Sequence, residues 1–320
     1  MPATLANIRT KVRRLTRSPS ITQITDAQLD EYINDFLLYD FPHNVHTFNK
    51  LTLKEFFLEP NIDIYESSNI IGSPLYQFDQ IVISIHPPIY INYNQAFFSQ
   101  SQEEFWNLYP QTVTSKTEAT GDGVTQVFNG VLTTIPILRY RTSFVSIDAF
   151  GNKLVLKDDG EGTLIGDGTG LINYTLGNYD LTFNIPPGNG KAITSQVVPY
   201  VAGVPTSILY AGGAFYVRPV PDKPYRVLMQ VYKRPLSLNN VLGTPEMLDW
   251  WQYIAYGATK KIFEDRSDMD SVAKIMPEFE NQECLVLRRT WMQLSNERAP
   301  TIYSNATVNG MNNWWFNNIS

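Results

Sequence analysis

The sequence predicts an α+β multidomain chain, with a helical bundle built from the N- and C-terminal segments, a β-rich middle and an inserted all-β sandwich. Three observations predict it. Apolar residues recur at spacings of three and four near both ends; β-branched and aromatic runs broken by prolines fill the middle; and residues 116–196 are rich in Gly, Asp and Thr, with turn signals at roughly 8–12-residue spacing. The expected layout is a discontinuous domain over residues 1–115 and 197–303, a sandwich over 116–196 and a tail over 304–320.

In chain order, Leu5, Ile8, Val12 and Leu15 make the first apolar stripe, which ends at Ser18-Pro19-Ser20. Thr25 followed by Gln28 is a capping box, and Leu29, Tyr32, Ile33, Phe36 and Leu37 continue a second helix expected to stop before Pro42. Strands follow at Leu51–Leu58, 62–65, 81–85 and 89–93, then a short helix between a serine cap and Pro110. The sandwich strands are expected at 126–129, 141–147, 153–157, 172–174, 179–183 and 192–198. Ala214–Arg218 and residues 225–232 read as a hairpin across the proline-rich 219–224. Thr244 and Pro245 read as the cap and first position of a helix striped by Met247, Trp251, Ile254, Ala258 and Ile262. A last helix is expected after Pro277, its core face carrying Cys284, Leu287, Trp291 and Leu294. Each stripe is short enough to need another to cover it, which joins the two ends of the chain.

Composition narrows the function. With 320 residues, 43% of them hydrophobic, the chain has ample material for two or three cores. One cysteine excludes an intramolecular disulfide, no apolar run approaches a membrane span, and the first residues lack a signal-peptide pattern. There are 25 asparagines, as many as all lysines and arginines together, which suits a turn-rich surface.

Catalytic patterns are weak. His43 and His46 sit in a polar loop without a metal-binding motif, and Cys284 lies on an apolar helical stripe where packing is its expected role. The Gly-Asp runs lack both the lysine of a phosphate loop and the closing glutamate of a calcium loop, so turns explain them best. The adjacent carboxylates 158/159, 103/104 and 264/265 do not nominate an acid and base. No cofactor or metal is implied and no enzyme is expected. Two features stand out. Arg9, Lys11, Arg13, Arg14 and Arg17 form a basic stretch without an acid, suited to DNA or an acidic partner; Trp314, Trp315 and Phe316 lie in a charge-free terminus suited to anchoring in a neighbour.

Asp30-Glu-Tyr-Ile-Asn-Asp-Phe-Leu-Leu-Tyr-Asp-Phe-Pro, Phe57-Leu-Glu-Pro-Asn-Ile-Asp-Ile-Tyr, Gln102-Glu-Glu-Phe-Trp-Asn-Leu-Tyr-Pro, Tyr216-Val-Arg-Pro-Val-Pro and the run from Trp250 to Arg266 resemble tailed-bacteriophage head-to-tail adaptor (connector, neck) proteins. The middle segment, with Ala119-Thr-Gly-Asp-Gly and Gly170-Leu-Ile-Asn-Tyr, resembles the immunoglobulin-like sandwich inserted in phage virion proteins. The resemblance implies a virion protein at the portal vertex, assembled in host cytoplasm as a ring, usually of twelve copies, between the portal protein and tail or nozzle proteins. It makes Trp314, Trp315 and Phe316 candidates for the portal contact, and lets the basic helix face packaged DNA or portal acids. The alternative expectation is a carbohydrate-binding or adhesin-like virion protein whose aromatics stack on sugars; a virion glycosidase ranks last.

Overall fold

The computed structural model describes residues 3–71, 73 and 75–294. The helices are α1 (Leu5–Leu15), α2 (Asp26–Asp35), α3 (Phe41–Asn44), α4 (Phe78–Ile81), α5 (Gln102–Leu108), α6 (Trp251–Asp265) and α7 (Met269–Leu294). The strands that build the sheets are β1 (Leu51–Leu58), β2 (Ile64–Glu66), β3 (Val82–Ile91), β4 (Asn94–Ser99), β5 (Thr114–Thr120), β6 (Val127–Val131), β7 (Ser143–Ile147), β8 (Lys153–Asp158), β9 (Thr163–Gly166), β10 (Gly168–Ile172), β11 (Asn178–Phe183), β12 (Ala192–Val197), β13 (Ala202–Gly203), β14 (Ser207–Ala211), β15 (Ala214–Arg218), β16 (Val220–Pro221) and β17 (Tyr225–Lys233). The expected helical-bundle architecture is therefore corrected: the molecule is mostly β, organised on a seven-stranded and an eight-stranded sheet, and a helical bundle is not its core.

The chain separates into two compact units, Met1–Thr52 with Gln80–Ile85 and Val231–Ser320, and Leu53–Asp79 with His86–Gln230. In the first unit Leu5, Ile8 and Val12 of α1, Leu29 and Ile33 of α2, Ile254, Ala258 and Ile262 of α6 and Phe279 and Val286 of α7 share one buried cluster. Thr25 caps α2 through the reciprocal bonds with Gln28. The chain does not stop before Pro42. A π turn over Phe36–Asp40 carries it into α3, with the Phe41 N–H donating to the Phe36 carbonyl and the donorless Pro42 at the start of the next turn. In a regular α-helix two residues five apart point about 140° from each other. The π turn instead brings Phe36 and Phe41 together, ring centroids 6.3 Å apart, and both meet Tyr253 at 5.3 and 5.2 Å. Phe279 closes the group, 6.0 Å from Phe36 and 5.1 Å from Tyr253.

Three further expectations in this unit are corrected. Residues 244–247 are not helical, because the Glu246 carboxylate is held by the Leu236 N–H and the Lys50 ammonium; a short 3₁₀ turn then leads into α6 at Trp251. Helix α7 starts at Met269, capped by Asp268, and runs through Pro277. Its buried side chains are Phe279, Val286 and Thr290, whereas Cys284, Leu287 and Trp291 face solvent. Helices α1 and α6 both end in a Schellman motif, with Arg17 (φ 52°) and Ser267 (φ 56°) in the left-handed position where glycine is usual.

The seven strands of the larger part of the second unit run in the order β1-β17-β3-β4-β14-β15-β2, the ends of β1, β3 and β17 lying in the first unit. The proposed hairpin of 214–218 with 225–232 does not form. Strand β15 pairs instead with β14 through a two-residue turn at Gly212-Gly213, both at positive φ (61° and 79°), and with β2 on its other edge. The eight-stranded sheet, β5-β12-β7-β8-β9-β10-β11-β6, is one curled antiparallel sheet; β7 to β11 form a meander, and the two facing sheets of an immunoglobulin-like sandwich are absent from it. Strand alternation puts Phe144, Leu154, Leu156, Leu164, Leu181, Phe183 and Ile193 on its inner face. Strands β9 and β10 are joined at Asp167, so the turn expected over Gly166–Gly170 is confined to that connection and the rest of the run extends into β10.

Gly257 of α6 sets how close the π turn can come: a Cβ built there would lie 2.3 Å from the Phe36 ring. Gly257→Ala is expected to lower stability by about 1–3 kcal/mol despite the better helix propensity of alanine, measured by denaturant midpoint. Conversely, Arg17→Gly and Ser267→Gly should each raise stability by up to about 1 kcal/mol in the same assay.

Candidate interaction surfaces

The basic face of α1 meets its acids from the next helix. The Arg9 guanidinium holds Asp30 in a bidentate pair, Nε–Oδ1 2.7 Å and Nη2–Oδ2 2.5 Å, and also reaches Asp26 at 3.3 Å. Arg13 donates to Asp26 at 2.7 Å and to the Ser20 carbonyl at 3.2 Å. Both arginine side chains are only 14% exposed. The hydrogen bond to Asp30 raises the Arg9 pKa further, and the hydrogen bond from Arg13, opposed in part by desolvation, lowers that of Asp26. Lys11 lies 5.2 Å above the Tyr256 ring. Only Arg14 and Arg17 of the five are exposed. Charge repulsion along α1 is thus relieved inside the subunit, and the surface this stretch offers to a partner shrinks to Arg14 and Arg17.

The Gly-Asp runs are turns with identified bonds. Asp122 accepts from the Val124 and Thr125 amides and the Thr125 hydroxyl, which holds its pKa down to about 2. Asp148 accepts from the amides of Phe150 and Asn152, Asp159 from those of Glu161 and Thr163, and Asp167 from that of Val155. Asp158 takes the Tyr174 hydroxyl at 2.6 Å and the amides of Tyr140 and Gly160. These carboxylates are spent on backbone donors, as Asx turns require. His46 stacks on Tyr232 at 4.7 Å, and His43 is exposed. Among the described residues no group of three or more His, Cys, Asp or Glu is arranged to hold a metal ion, and no helix is long and apolar enough to cross a membrane. Trp314, Trp315 and Phe316 lie outside the described residues.

Two surfaces emerge that residue patterns alone did not single out. The first is on the seven-stranded sheet, where Tyr90, Tyr93, Arg226 and Leu228 line a shallow depression of about 240 Å³. Asn92 and Tyr93, both at positive φ, make the turn between β3 and β4 and leave the Tyr93 ring 78% exposed. Arg226 donates to the Tyr93 hydroxyl at 3.3 Å and to Glu55 at 3.1 and 2.5 Å, so the guanidinium is fixed beside the rings. Leu53, Phe57 and Phe97 add exposed apolar area on the same sheet. The signal was available: residues 51–58 and 225–233 alternate, but assigning 225–232 to a hairpin with 214–218 hid which strands share a face. The second surface is the outer side of α7, whose 3,4 spacing was legible but whose direction was not.

No protein-family model matches the chain, and no curated protein matches it.

Since the folded-state pKa of Asp26 is depressed, its contribution to stability is complete above the ordinary aspartate range and is lost as pH falls through the folded value. Thermal melts of wild type and Asp26→Asn are therefore expected to differ at neutral pH and to converge on acidification. Arg9→Ala should cost on the order of 1–3 kcal/mol by leaving Asp30 half-buried and unpaired, while Arg14→Ala should stay within about 0.5 kcal/mol of wild type.

Proposed function

We propose that the chain is a structural head-to-tail adaptor of a tailed bacteriophage, docking on the portal and joining the DNA-filled capsid to the tail. The observation that carries this reading is the ordered series of adaptor-like segments from Asp30 to Arg266. Two features of the folded chain support it. Helices α1 and α2 near the start of the chain and α6 and α7 near its end share one core. Large apolar side chains stay exposed in clusters, on α7 and on the seven-stranded sheet, as an assembling protein needs. In this role Trp314, Trp315 and Phe316 anchor the tail on the portal, tail or nozzle proteins dock on the opposite side of the ring, and Arg14 and Arg17 face packaged DNA or acidic portal residues. Symmetry multiplies each weak contact into avidity.

The depression at Tyr90, Tyr93 and Arg226 favours one second reading, a carbohydrate-binding virion protein, because exposed tyrosine faces beside a fixed guanidinium and carboxylate suit sugar stacking and hydrogen bonding.

Native mass spectrometry of the full chain mixed with recombinant portal is expected to show a ring-on-ring complex, weakened at least tenfold by deleting residues 312–320. Neither ring nor complex at any salt concentration, together with glycan-array binding that Tyr93→Ala abolishes, would replace the adaptor reading with the second one.

A further inference from the structure

The eight-stranded sheet has a free end. The chain enters it at Thr114 and leaves it at Val197, which pair with each other, so the loops at 121–126, 148–152, 167 and 184–191 gather at the opposite end, away from the crossings to the seven-stranded sheet. These loops lock one another: the Gly121 amide donates to the Lys191 carbonyl at 2.8 Å, that of Gly123 to Pro187 at 3.1 Å, that of Gly188 to Ile147 at 2.8 Å and that of Asn184 to Asp167 at 2.9 Å. The turn over Asp148–Gly151 is fixed in the same way. Asp148 Oδ1 accepts from the amides of Phe150 and Asn152, both at 2.8 Å, and Gly151, at φ 91°, donates back to the Asp148 carbonyl. Phe150 stands at the tip, 89% exposed, between Ala149 and Gly151, and Val124 and Ile185 add exposed apolar area at the same end. A large ring between two small residues, on a backbone already ordered, is a preformed knob.

The same unit carries a hole that fits it. The depression at Tyr90, Tyr93, Arg226 and Leu228 encloses about 240 Å³, and an apolar cavity of about 150 Å³ already holds a benzene ring. Tyrosine faces receive another ring edge to face, and the guanidinium, held in place by Glu55 and the Tyr93 hydroxyl, offers it a cation. Charge selects a second copy as the occupant. Each copy carries a net charge of −6, so a contact between copies has to join patches that carry none. Both patches meet that condition: at the loop end the exposed Asp122 and Asp167 are balanced by Lys153 and Lys191, and in the depression Arg226 is paired with Glu55. The same balance gives an anionic bilayer nothing to attract, and a convex knob has no concavity in which to hold a small ligand. We propose that Phe150 of one copy seats in the Tyr90–Tyr93–Arg226 depression of the next. Knob and hole are different patches, so the contact is head to tail, each copy uses both, and the series ends when it closes on itself. Closure into a ring rests on the adaptor reading above; the contact between two copies does not.

The test uses the full chain from micromolar to near-millimolar concentration, by light scattering and native mass spectrometry, with circular dichroism to confirm folding. Wild type should self-associate. Phe150→Ser removes the knob, and the double variant Tyr90→Ser, Tyr93→Ala removes the hole; each should weaken self-association at least tenfold. Mixed one to one, these two variants retain one knob and one hole between them and should form a heterodimer that grows no further. A wild type that stays monomeric at every concentration overturns the proposal, as does self-association that survives Phe150→Ser or a mixture that yields no heterodimer. The adaptor reading is judged apart from it. A Phe150→Ser chain that still forms its ring on recombinant portal overturns the contact alone, whereas a wild type that assembles through Phe150 and never binds portal overturns the adaptor reading and leaves the contact standing.

Discussion

Four aromatic rings closed over a glycine set the geometry of the first unit. Phe36 lies against Gly257 at a distance that no side chain on α6 would permit, and Phe36, Phe41, Tyr253 and Phe279 meet largely edge to face. This group joins segments more than 200 residues apart in sequence: the π turn, α3, α6 and α7 supply one ring each. Burial of Tyr253 raises its pKa, and its hydroxyl donates to Glu283 of α7, so the polar tip is satisfied while the ring stays in the core. The path of α7, and hence the direction in which its second stripe points, follows from where Phe279 is seated.

The second unit is held by a different device. Its curled sheet has many short strands and turns, and carboxylates in those turns, exposed ones such as Asp122 and Asp167 included, accept hydrogen bonds from backbone amides. A buried ion pair, Arg218 with Asp63 at 2.8 Å, ties β15 to the loop before β2, with Trp106 stacked 5.5 Å from the guanidinium. Taking two charges out of water is costly, and the pair is tolerated because the Val217 carbonyl accepts a further bond from the arginine.

Local signals were read correctly where local chemistry decides. The Thr25–Gln28 capping box, the serine-capped helix ending before Pro110, the strand Leu51–Leu58 and the Asp-based turns are all written in a few neighbouring residues. Readings failed where distant residues decide. Pro42 reads as a helix stop and Pro277 as the break before the last helix, yet a π turn and an exposed helix face accommodate them. Thr244 and Pro245 looked like a helix start, but Glu246 is committed to Lys50 and the 236 amide. The Gly212-Gly213 turn was a strong hairpin signal passed over in favour of a proline-rich loop, and the error propagated to the order of the whole sheet. In α1 the basic spacing was legible; that Asp26 and Asp30 neutralise it was not, because the partners sit on another helix. For α7, amphipathicity gave the stripe but could not say which of two apolar faces is inward.

Because α1, α6 and α7 share one buried cluster, a pull applied between residues 5 and 294 is met by helix-to-helix shear around the aromatic group.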